Sequence, residues 1–101
     1  MPTASFAGEA GWSGRATISK FYALNENQVI IKLSDFKNPG KCNVTESGDV
    51  IVSPNTEKTW FTILLSAFMS GKEVNIYVSN NCTPYWSGTD FAKIGHVVVF
   101  Q

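Results

Sequence analysis

The chain has 101 residues, of which 44% are hydrophobic and 16% charged, a balance suited to one globular domain with a modest core. Eight Lys and Arg offset eight Asp and Glu, and Arg15 is the only arginine. A domain that takes its affinity from phosphates carries a basic face, so this composition argues against a nucleic-acid partner.

No apolar run approaches the roughly 18 residues needed to cross a bilayer, and no transmembrane segment is expected. Met1-Pro2-Thr3-Ala4-Ser5 lacks the basic and apolar regions of a signal peptide. An exported form would therefore be a mature chain with an added methionine.

In chain order, Gly11, Ser13 and Gly14 surround Trp12 in a turn-like entry. A first strand is expected from about Gly14 to Tyr22, with Ala16 and Ile18 on one face before the phase shifts toward Phe21. Such a shift inside one strand is what a bulge produces. Asn25-Glu26-Asn27 supplies turn residues, after which Val29, Ile31 and Leu33 line one face of a second strand. The two strands read as a hairpin. Asn38-Pro39-Gly40 and Glu46-Ser47-Gly48 mark turns, and a short third strand follows from Asp49 to Val52.

A helix is expected from about Asn55 to Ser70, with Ser53 or Asn55 as its cap, Pro54 in the first turn and Gly71 after the last. Trp60, Ile63, Leu64, Ala67 and Phe68 form its apolar face, and Phe61, Leu65 and Met69 widen it. The remaining stripe, Thr59, Thr62, Ser66 and Ser70, carries no charge. A surface helix ordinarily shows charge opposite its core face, so this stripe is expected to meet other copies of the chain. The competing expectation is a stripe that simply faces water.

A fourth strand, Glu73 to Ser79, points Val74, Ile76 and Val78 inward and Asn75 and Tyr77 outward. A polar loop is expected from Asn80 to Asp90, then a last, almost continuously apolar strand from Ala92 to Phe100, covered by the barrel interior and a neighbour. The order β-β-β-α-β-β, in one domain spanning residues 1–101, is that of the OB-fold, a five-stranded barrel with one helix between strands 3 and 4.

Cys42 and Cys82 are an even count in a small domain, and a disulfide between them is expected. The alternative is two unpaired thiols in a reducing compartment. A bridge implies an oxidising one, hence a secreted or periplasmic protein.

The segment Trp60 to Val78, reading Trp-Phe-Thr-Ile-Leu-Leu-Ser-Ala-Phe-Met-Ser-Gly-Lys-Glu-Val-Asn-Ile-Tyr-Val, resembles the helix, glycine turn and following strand of the B subunits of subtilase-cytotoxin and pertussis-like AB5 toxins. It also resembles related small exported bacterial proteins. The likeness covers about a fifth of the chain and is one of pattern. It implies an OB-fold that assembles as a homo-oligomeric ring, a pentamer in those toxins, with helices toward the pore and outer loops that bind cell-surface glycans. The cysteine placement departs from those B subunits, and no sugar-contacting residue carries over.

Catalysis finds little support. His96 is the only histidine, no Ser and Asp are spaced for a triad, and the carboxylates are scattered. One histidine and two bridged cysteines do not make a metal site, and no cofactor motif is present. Binding finds more. Tyr85 and Trp86, flanked by Asn81 and Asp90, offer ring faces for the C–H patch of a sugar and polar groups for its hydroxyls. Trp12 is a second candidate platform. The competing role for these rings is to cap the barrel or fill an interface. The expected function is a non-catalytic, glycan-binding subunit, and the alternative is a structural or inhibitory protein-binding module.

Overall fold

A computed structural model describes residues 8–101. The amino-terminal stretch read above for targeting lies outside them. Six strands and one helix follow in order: β1 (Gly11–Trp12), β2 (Ala16–Asn25), β3 (Gln28–Leu33), β4 (Val50–Val52), α1 (Lys58–Ser70), β5 (Glu73–Pro84) and β6 (Asp90–Val99). The sheet runs β1-β5-β2-β3-β4-β6 and closes because β6 also pairs with β5. All neighbours are antiparallel except β4 and β6, which run parallel. The described residues are thus mainly β, a closed but uneven sheet with a single helix.

Strand alternation builds the core. Val29, Ile31 and Leu33 point inward with Val50, Val52, Val74, Ile76 and Val78, and α1 adds Leu64 and Ala67. The phase shift in β2 is a bulge, since Ile18 pairs with Leu33 but Lys20 pairs with Lys32, leaving Ser19 extra. Phe21 accordingly turns inward and packs on Phe61 and Phe68 of the helix.

Trp12 lies in a strand and not in a turn. Both β1 and β2 pair with the same edge of β5, and the residues between them form a second bulge. Ser13 holds it together: it is fully buried, its N–H donates to the Ile76 carbonyl (2.7 Å), and its Oγ accepts from the Ile76 N–H (3.0 Å). The side chain thereby replaces the acceptor that the bulged backbone withdraws.

Asp49 performs the same service at the start of β4. Its carboxylate, 1% exposed, accepts from the Leu33 N–H (3.0 Å) and from Lys32 Nζ (3.0 Å), while its carbonyl accepts from the Ala92 N–H (3.0 Å). Three strands are joined at one residue.

The helix begins three residues later than the periodicity predicts. Ser53 to Glu57 form a separate capped turn, with Ser53 Oγ accepting from the Thr56 N–H and Glu57 Oε1 accepting from the Ser53 N–H. Asn55 is drawn off to the β2–β3 turn, where its amide donates to the Glu26 carbonyl and to Asn27 Oδ1. At the other end Gly71 takes the left-handed conformation (φ 70°), and the Lys72 N–H donates back to the Ala67 carbonyl.

One sequence expectation about β5 requires correction. Residues 80–84 are strand, not loop: Cys82, Thr83 and Pro84 pair with Ala92, Phe91 and Asp90. Their polar composition reflects an exposed hairpin that bulges between Val78 and Cys82. The end of the last strand is uncovered within the single chain. Val98 and Val99 are exposed, because β4 reaches only as far along β6 as Lys93.

Candidate functional site

Outside the barrel lies a second, smaller core. Ile30, Ile51 and Phe91 are buried there with Leu24 and Val44 packed against them, on the wall formed by β3, β4 and β6. These residues alternate with the inward ones, so a wall that would otherwise be polar is apolar over this patch. The tip of the β5–β6 hairpin rests on it.

That tip is a short turn. The Thr89 N–H donates to the Trp86 carbonyl (3.0 Å), the Tyr85 N–H donates to the Thr89 carbonyl (3.3 Å), and Gly88 takes a left-handed φ of 74°. The turn sets the Trp86 indole edge-on to Phe91 (6.1 Å between centroids) and to Tyr85 (5.1 Å). Trp86 also meets Tyr22 of β2, 6.0 Å away. Tyr22, Tyr85 and Trp86 are 40%, 41% and 38% exposed, so the cluster is anchored below and open above.

The base of the hairpin is fastened twice. Cys82 is joined to Cys42 by a disulfide, as the cysteine count predicts. Asn43 and Asp90 exchange bonds, the Asn43 N–H donating to Asp90 Oδ1 (2.6 Å) and the Asp90 N–H to the Asn43 carbonyl (3.1 Å). Asn38, at a left-handed φ of 54°, closes the segment by accepting from the Cys42 N–H and donating to its carbonyl. Lys20 borders the cluster, its ammonium 5.9 Å from the Tyr22 ring and donating to the Glu46 carbonyl.

Of the residues singled out in the sequence, Tyr85 and Trp86 are brought together and Asp90 stands at the base of their hairpin. One oxygen of Asp90 is already engaged by Asn43. Asn81 is exposed and lies in the β5 bulge. Trp12 belongs to a different cluster, with Tyr77 and His96. Tyr22 was not anticipated. Its only signal is an outward tyrosine opposite the inward Phe21, and nothing in the sequence pairs it with a residue 64 positions on.

Thr59, Thr62, Ser66 and Ser70 lie exposed along one side of α1, and Ser70 Oγ donates to the Ser66 carbonyl (2.8 Å). Beside them an open groove of about 510 Å³ runs between the helix and the end of β6, lined by Thr62, Ile63, Ser66, Ser70, Val99 and Phe100. Cys42, Cys82 and Asp90 are the one grouping of metal-ligating residue types among the described residues. The two sulfurs are bonded to each other, which leaves no thiolate to offer.

Comparison of the chain with protein-family models, curated proteins and solved structures gives no match.

Proposed function

We propose that this protein is a non-catalytic binding subunit, an exported OB-fold domain that recognises carbohydrate and assembles into a homo-oligomeric ring in the manner of AB5-toxin B subunits. The observation that carries the reading is the trio Tyr22, Tyr85 and Trp86, exposed in water yet held by a disulfide and a buried phenylalanine. A sugar offers an apolar C–H face and a rim of hydroxyls. A rigid aromatic surface takes the first at small entropic cost, since its rings are already ordered.

The OB assignment draws on topology. Five strands close in the order β2-β3-β4-β6-β5, the parallel pair is β4 with β6, and the helix falls between β4 and β5, the third and fourth of them along the chain. In such barrels ligands favour the wall of the second and third strands and the loops beside it; here the loop between the last two strands carries Tyr85 and Trp86, and Tyr22 comes from the first barrel strand. Export draws on the internal disulfide. Assembly draws on the charge-free helix stripe and the groove beside it, with Val99 exposed in its lining. That same groove favours the rival reading, in which the chain is a structural or inhibitory module that docks a protein.

A glycan array separates the two. Wild-type protein should bind a defined subset of glycans, and Trp86→Ala should lose them while keeping its assembly mass and melting temperature. Absence of any glycan signal for the wild type would remove the carbohydrate reading.

A further inference from the structure

The rings of Trp12, Tyr77 and His96 form a second cluster, outside the trio just described. They are direct cross-strand partners on β1, β5 and β6. Tyr77 lies between the fully buried Ile76 and Val78, so its side chain and those of its partners face outward from the barrel. The Tyr77 centroid is 5.2 Å from Trp12 and 5.3 Å from His96, and the two outer rings are 6.4 Å apart with planes 28° from parallel.

A local irregularity produces this arrangement. Tyr77 pairs with His96 but Val78 pairs with Ile94, leaving Gly95 as an extra residue in β6. A Cβ on Gly95 would sit 3.1 Å from Tyr77 Cδ2, so the tyrosine ring lies down against bare backbone. Cross-strand aromatic packing is satisfied by rings that bury one another. Here the middle ring is half-buried while Trp12, 43% exposed, and His96 remain in water on either side of it.

We infer that this surface is a second saccharide subsite. A sugar lays its C–H face on the Trp12 indole, and the His96 imidazole, able to donate from one nitrogen and accept at the other, meets a hydroxyl. Tyr77 lies within β5 and Tyr85 just past its end, eight residues on, which is roughly 25 Å along an extended strand. One sugar ring cannot span that distance, so the two clusters act independently and each chain binds two saccharides. The inference rests on the carbohydrate reading of the Tyr22, Tyr85 and Trp86 cluster.

The test labels the protein with 5-fluorotryptophan, which gives one fluorine resonance each for Trp12, Trp60 and Trp86. Methyl β-galactoside, methyl α-mannoside and N-acetylglucosamine are titrated in turn. With at least one of them the Trp12 and Trp86 resonances should both shift, along separate saturation curves, while Trp60 stays in place. Trp86→Ala should leave the Trp12 curve unchanged, and His96→Ala should weaken it by about tenfold. A Trp12 resonance that no sugar moves, while Trp86 responds, overturns the second subsite and spares the first. A Trp12 response that disappears in Trp86→Ala overturns its independence. Silence at both tryptophans overturns both.

Discussion

Asp49 is the residue on which the most backbone depends. A carboxylate that is buried and paired is costly to desolvate but more costly to orphan, so removing it harms the fold through the groups it leaves behind. Asp49→Ala strands the Leu33 N–H and frees the Lys32 ammonium beside a closed wall. The variant should lose about 3 kcal/mol of stability, read as a lower urea midpoint at unchanged slope. The residues of the aromatic trio are different in kind. They sit on the wall with more than a third of their surface in water, so their truncation should be felt in binding long before it is felt in folding. Ser13 shows what a single sequence hides. A serine between Trp12 and Gly14 reads as turn chemistry, and its role as a buried acceptor for β5 depends on a strand 63 residues away.

Among the elements, the helix and its stop were legible because their signals are local. The apolar spacing from Trp60 to Phe68 and the glycine at position 71 act within a few residues of each other, and the structure follows them except at Ile63, which is exposed. The inward faces of β3 and β5 were legible for the same reason. The β5–β6 hairpin was not, because an exposed, bulged ladder can be built from Asn, Thr and Pro when a disulfide and the Asn43–Asp90 exchange hold its base. Composition alone reads such residues as loop. The bridge closes a segment with a separation of 40 residues, and on chain-entropy grounds it contributes about 4 kcal/mol. Replacing both cysteines by serine should therefore lower the melting temperature sharply. It should also weaken glycan binding at temperatures where circular dichroism still reports a folded barrel, because the hairpin tip is fastened through Cys82.

For the whole molecule, the order of elements along the chain and a closed sheet were readable from the sequence, but the individual pairings that close it were not. The parallel β4–β6 pairing and the meeting of Tyr22 with Trp86 join segments far apart in the chain, and no periodicity encodes them. Assembly belongs to this scale as well. A stripe of Thr and Ser beside exposed Ile63 and Val99 is suited to close approach by another backbone and poorly suited to a charged side chain. Native mass measurement should give a multiple of the 11.1 kDa chain, and Ser66→Arg should return it to a single copy with its circular dichroism unchanged. A wild-type monomer at micromolar concentration would contradict the ring.

The central claim is that the Tyr22, Tyr85 and Trp86 surface reads sugar and not protein. The most direct measurement is binding to an immobilised cell-surface glycoprotein fraction before and after enzymatic removal of its glycans. Wild-type protein should bind the intact fraction and lose that binding after deglycosylation, while Trp86→Ala should bind neither. Equal binding of the wild type to the intact and the deglycosylated fractions would contradict the account.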